Sequence, residues 1–126
     1  MRKQYSFQPA GDGYDAWDVD HLVELSLEFP VVEVPLDSIA DIDSAYWFAP
    51  GGESPTVRVI IRHIELVQEV DPSYPIILGA DGRVMDGMHR VVRAVLEGRT
   101  SIRAVRFERD PEPDYRNCQP TDLPYD

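Results

Sequence analysis

The chain has 126 residues, enough to bury one sizeable core but not two. Its formal net charge of −11 repels polyanions and excludes a broad nucleic-acid surface, while leaving room for a small pocket that holds one nucleotide. Cys118 is the single cysteine, so an intrachain disulfide and a thiolate metal centre are excluded, and no apolar run reaches membrane-spanning length.

Residues 1–16 are polar, carry Gly11 and Gly13, and read as a loosely held lead-in. No apolar stretch follows the basic start Met1-Arg2-Lys3, so no secretory leader is expected and the chain reads as cytoplasmic. With Asp18 or Asp20 as N-cap, the period of Val19, Leu22 and Val23 predicts a helix ending near Phe29-Pro30. Val31 to Leu36 predicts a strand ended or bent by Pro35, and Asp37 to Ile42 a single helical turn. An irregular aromatic piece, Tyr46-Trp47-Phe48, precedes Gly51-Gly52; it reads either as a flap that stacks on a ligand or as a loop anchor.

Ser54-Pro55 predicts a helix start, with Val57, Ile60, Ile61, Ile64 and Val67 as its apolar face. Arg58, Arg62, Glu65 and Glu69 fall on another face, and His63 on a flank where a satisfied interior histidine is expected. A strand from Pro75 to Leu78, a tight turn at Asp81-Gly82 and a second strand through Met85 form a hairpin. Met88, Val91, Val92 and Val95 give the next helix its core face, Gly98 stops it, and Ser101 to Phe107 is the last strand. Residues 108–126, rich in proline and acids, read as a tail lying extended on the domain or disordered.

Chemistry concentrates in Asp86-Gly87-Met88-His89-Arg90, where the hairpin meets the helix start. A helix start leaves backbone N–H groups unpaired at the positive end of its dipole and suits an anion. With Asp86 as N-cap, Gly87, Met88 and His89 offer amides, Arg90 a forked guanidinium for phosphate oxygens, and His89 a second donor. Each residue alone has a plainer reading: Asp86 as a cap worth about 0.5–2 kcal/mol, His89 as a core-edge residue, Arg90 as a solvated one. An aspartate at this place also sets negative charge where a phosphate would sit. Either Arg90 and a divalent cation offset it, with Asp86 as a metal ligand, or Asp86 acts as a base.

Strand, Asp-Gly-x-His-Arg, helix, Gly98 and strand together resemble the ParB/sulfiredoxin superfamily, over roughly Val32 to Phe107 and including Val34-Pro35-Leu36-Asp37-Ser38-Ile39. The resemblance implies an α/β (α+β) fold: one compact domain over residues 17–107, a small mixed sheet flanked by helices, and a nucleotide phosphate at the motif helix. Sulfiredoxins carry a reactive cysteine where this chain has Met88, which points away from peroxiredoxin repair. Partition ParB proteins show two arginines where this chain has His89-Arg90, and they continue into a DNA-reading domain. The motif is nearer to the Asp-Gly-His-His-Arg of free-serine kinases, which use a glutamate after the first strand as base; Asp41 and Asp43 occupy the comparable stretch.

The expectation is a protein that binds ATP, ADP or CTP, with Mg²⁺ arriving on the nucleotide, and transfers a phosphoryl group to a small hydroxyl compound. Asp86, His89 and Asp43 are the candidate catalytic residues; Gly87, Met88, His89 and Arg90 are the phosphate-binding ones. The alternative is a non-catalytic, nucleotide-dependent module acting through a protein partner. Neither reading involves direct nucleic-acid binding or a membrane.

Overall fold

Alternation along Ile76-Ile77-Leu78 sets the architecture: Ile76 and Leu78 point to one core and Ile77 to another, and all three are buried. The computed structural model describes residues 3–49 and 51–126; Met1 and Arg2 of the lead-in and Pro50 of the aromatic loop lie outside the described residues. In chain order the elements are β1 (Tyr5–Ala10), β2 (Gly13–Asp18), α1 (Val19–Ser26), β3 (Val32–Pro35) and α2 (Val57–Glu69). They continue with β4 (Ile76–Leu78), β5 (Val84–Asp86), α3 (Met88–Leu96), β6 (Ser101–Arg106) and β7 (Tyr115–Cys118). Two short 3-10 turns, Leu36–Ser38 and Ala40–Asp43, follow β3.

The fold is a compact α+β arrangement around a mixed four-stranded sheet of order β3-β6-β4-β5, in which β4 and β6 run parallel and the other pairs antiparallel. On one face Ile76, Leu78, Val84 and Ala104 pack against Met88, Val91 and Ala94 of α3, with Leu36 and Ile39 closing the edge. On the other face Ile77, Met85 and Phe107 pack against Trp17 and Leu22. Ile102 and Ala104 lie on the α3 side, and Arg106 is exposed and donates from Nη2 to the Ala80 carbonyl at 2.6 Å. No helix among the described residues is long and apolar enough to cross a membrane.

The two chain ends depart from expectation. The lead-in of residues 1–16 supplies β1 and most of β2, paired antiparallel from Tyr5 with Asp18 to Ala10 with Gly13. The tail of residues 108–126 supplies β7, which pairs with β2 to complete a second sheet of order β1-β2-β7. Polar composition hid these strands: β1 and β7 are mostly exposed, β2 buries Gly13 and the adjacent Ala16 and Trp17 without apolar alternation, and the ladder bonds come from the backbone. Trp17 fastens the tail by donating from Nε1 to the Pro111 carbonyl at 2.8 Å, and the Arg83 guanidinium lies 5.3 Å from its ring centroid.

α1 starts as read: Asp18 caps it by accepting from the Asp20 N–H at 2.9 Å. α2 starts later than Ser54-Pro55 implies. The Ser54 carbonyl closes a tight turn with the Thr56 N–H, so Thr56 becomes the N-cap and accepts from the Val59 N–H. Its buried face is narrower than expected. His63 and Val67 lie inside as read, while Val57, Ile60, Ile61 and Ile64 of the expected core face are exposed. α2 packs on α3 rather than on the sheet, so only the strip turned toward α3 and the aromatic loop is covered.

Candidate functional site

The site forms where β5 ends and α3 begins. Asp86 is the last residue of β5 and not the helix cap; the N-cap is Gly87, at φ 103° and ψ 23°. Only a residue without Cβ turns the chain this way at low cost. A Cβ there would also meet Ile76 Cγ2 at 2.7 Å. The Arg90 and Val91 N–H groups both donate to the Gly87 carbonyl, so the amides of Met88 and His89 are the ones the helix leaves for a ligand.

Asp86 and Arg90 form a pair with side chains 14% and 16% exposed, Arg90 Nη2 lying 3.2 Å from Asp86 Oδ2. Nη1 of Arg90 donates to the Pro75 carbonyl at 2.7 Å and to that of Tyr74 at 3.2 Å. The guanidinium thus ties α3 to the strand entering β4 and neutralises the carboxylate beside the helix start. Burial raises the Asp86 carboxyl above its ordinary value, with Arg90 pulling the other way. The residues do not fit a protein-held Mg²⁺ ion: Asp86 is committed to Arg90, and among the described residues no group of three His, Cys, Asp or Glu is placed to bind a metal.

His89 enters a chain of hydrogen bonds that the motif alone does not reveal. Its Nε2 lies 2.8 Å from Nδ1 of His63, and Nε2 of His63 lies 2.7 Å from Oε1 of Glu53. Glu53 is oriented from its other oxygen by Arg62. A carboxylate only accepts, so His63 carries a proton on Nε2; with His63 neutral, its Nδ1 accepts from His89 Nε2–H. This assignment leaves Nδ1 of His89 as a lone-pair site, and no hydrogen bond among the described residues reaches it.

Trp47 stacks on both imidazoles, at centroid distances of 4.1 Å to His63 and 4.8 Å to His89 and tilts of 23° and 21°. The Trp47 carbonyl accepts from the Glu53 N–H at 2.9 Å, so the aromatic loop positions the stack and the carboxylate together. It serves as an anchor in this arrangement. Burial, reinforced by His63, lowers the His89 pKa from 6.5 to about 4, although Glu53 acts to raise it. His89 is therefore neutral near pH 7.

Glu53, Trp47, Asp86 and His89 line a cleft of about 560 Å³ that opens over Gly87 and Met88. Tyr5, Phe7 and Tyr14, from the β1-β2 hairpin, contribute to its lining. Comparison with family models, curated proteins and solved structures finds no match for this chain. The site is defined by its own geometry.

Of the expected site residues, Asp86, Gly87, Met88 and His89 meet at the cleft, and Arg90 lies behind it. Asp43 does not join them; it is exposed on the second 3-10 turn, outside the cleft lining. Asp41 is structural: its Oδ2 accepts from the Val84 N–H at 2.7 Å, while Tyr46 Oη donates to the Val84 carbonyl at 2.7 Å. Burial and the nearby Asp41 and Asp86 charges raise the Tyr46 pKa, so it stays a donor. Glu53 escaped the sequence reading because its connection to His63 and His89 runs through space.

The His89 shift has a sign that can be checked. A histidine whose pKa falls on folding contributes stability above its unfolded value, and that contribution is lost as pH falls toward the folded one. The window runs from 6.5 down to about 4. The raised Asp86 pKa acts oppositely, with its contribution lost as pH rises above the ordinary carboxylate value. Comparison with His89→Gln isolates the histidine: the melting-temperature advantage of the wild type should shrink as pH drops through that window. Circular dichroism melts showing a pH-independent difference would contradict the linkage.

Proposed function

We propose that the cleft holds a nucleotide by its phosphates at the start of α3, and that His89 deprotonates a small hydroxyl compound to which a phosphoryl group is transferred. The hydrogen-bonded chain Glu53–His63–His89, ending beside the free amides of Met88 and His89, carries this reading. A neutral imidazole fixed in one tautomer is free to accept a proton at neutral pH, and passing the charge on to His63 and Glu53 offsets its lowered basicity.

In the proposed step the acceptor oxygen bonds to phosphorus as the bond from phosphorus to the leaving nucleoside diphosphate breaks. The hydroxyl proton goes to His89 Nδ1, the Nε2 proton shifts toward His63 Nδ1, and Glu53 stabilises the resulting imidazolium. Amides at the helix start hold the phosphate oxygens. Arg90 assists from behind by offsetting the Asp86 charge, a role that does not require it to touch phosphate. The motif resemblance to free-serine kinases makes serine a first acceptor to try, with ATP, ADP and CTP as the nucleotides. The setting proposed is the cytoplasm, where these nucleotides and a free thiol such as Cys118 coexist.

The experiment incubates purified protein with ATP or CTP and a panel of hydroxyl compounds including serine, following phosphorus NMR for a new phosphate ester. Nucleotide should raise the melting temperature. His89→Gln should keep that rise while losing about 100-fold or more in turnover. Nucleotide binding without product in any combination would leave a binding module; no thermal effect of any nucleotide would end the proposal altogether.

A further inference from the structure

α2 leaves a stripe of large aliphatic side chains uncovered. Val57 is 75% exposed, Ile61 48% and Ile64 52%, and Leu96 of the neighbouring α3 is 75% exposed. Ile60, Ile64, Val92 and Leu96 also line a groove of about 280 Å³ between the two helices, floored by Phe48. A continuous apolar face of this kind marks an interaction surface.

The flank beside that stripe narrows the choice of occupant. It carries Arg58, Arg62, Glu65 and Glu69, two cations in the first half of the helix and two anions in the second. In a chain of net charge −11 this face is locally balanced. Arg58, Glu65 and Glu69 enter no ion pair among the described residues, while Arg62 reaches Glu53. The spacing is symmetric. Arg58 and Glu69 lie equally far on either side of a point between His63 and Ile64, close to the middle of the helix, and so do Arg62 and Glu65.

We propose that the occupant is a second copy of this chain, packed with its α2 antiparallel to the first about a two-fold axis. In an antiparallel helix pair like flanks meet, so Arg58 faces the partner's Glu69 and Arg62 faces the partner's Glu65, and the two-fold repeats each pair. A parallel pairing would turn this flank toward the opposite flank of the partner helix, and none of these pairs would form. Ile61 and Ile64 then interdigitate across the axis, and Val57 and Leu96 extend the apolar contact along the groove. Charge pattern fixes the direction and burial of the stripe supplies the attraction.

Sedimentation equilibrium on the intact chain tests this. The wild type should show a reversible monomer–dimer equilibrium. Ile61→Glu sets an exposed charge at the centre of the contact and should abolish the dimer, with a circular dichroism melt confirming that the fold is kept. Arg58→Glu should weaken association about tenfold by facing the partner's Glu69, and the swap Arg58→Glu with Glu69→Arg should restore it. A wild type that stays monomeric would assign the face to a different partner and overturn the proposal. A dimer unaffected by Ile61→Glu would place the contact elsewhere, and failure of the swap to restore association would refute the antiparallel register.

Discussion

Gly87→Ala should destabilise the protein by roughly 2–4 kcal/mol, through left-handed backbone strain of about 1–2 kcal/mol plus the cost of overpacking. At φ 103° the new methyl group would sit 2.7 Å from Ile76 Cγ2 and 3.1 Å from Ile76 Cβ. Ile76 cannot yield easily, because it is fully buried between the sheet and α3. Such a loss is a large share of the 5–15 kcal/mol typical of a domain. Urea denaturation measures it, and Gly98→Ala is the matched control: φ is 73° there, but nothing lies within 4 Å of the added carbon. The control should lose only about 1 kcal/mol. Equal losses at the two positions would mean that the contact with Ile76 is unimportant.

Arg90→Ala should cost about 3–5 kcal/mol, since it removes one partner of a buried pair and leaves the other charge uncompensated. Asp86 would lose its counter-charge, and the Tyr74 and Pro75 carbonyls their donor. Asp86→Asn in the same background should recover part of the loss, because a neutral amide is easier to bury. Arg90→Lys should rescue incompletely, since an ammonium on a flexible stem does not reproduce the planar fork that reaches carboxylate and carbonyl together. The deficit of Arg90→Ala should shrink on acidification. Without the guanidinium the Asp86 pKa rises further, and protonation relieves the buried charge. Chemical denaturation at several pH values checks the trend. If Arg90→Ala folds as stably as the wild type, the guanidinium is not the tie between α3 and the strand entering β4.

These two positions also show how far the sequence was readable. The hairpin and α3 follow from local chemistry: short apolar runs, a turn at Asp81-Gly82, and Met88 and Val91 on a buried stripe, which Ala94 completes while Val95 of the expected core face is exposed. The cap was misplaced by one residue because Asp86 has the right chemistry for it, while a glycine's left-handed turn is set by the Ile76 wall behind it. In α2 the apolar period marked a helix and the interior places of His63 and Val67, but packing on α3 left Val57, Ile60, Ile61 and Ile64 of the expected face exposed. The segment Asp86 to Arg90 was legible as five consecutive residues. The relay was not, because Trp47, Glu53, His63 and His89 come from separate segments that only the tertiary fold assembles.

The two sheets differ in how far along the chain they must reach. β4, β5 and α3 are contiguous, so the helix start at Gly87 is built from contacts that close short loops. Tyr14, by contrast, pairs across β2 and β7 with Cys118, 104 residues away. Closing that loop costs more chain entropy and is won back only after the intervening core is in place. On this ground the helix start is expected to form early, and the pairing of β2 with β7 that completes the second sheet late. Weakening the β2–β7 pairing should then loosen the two chain ends while leaving α3 seated on β4 and β5.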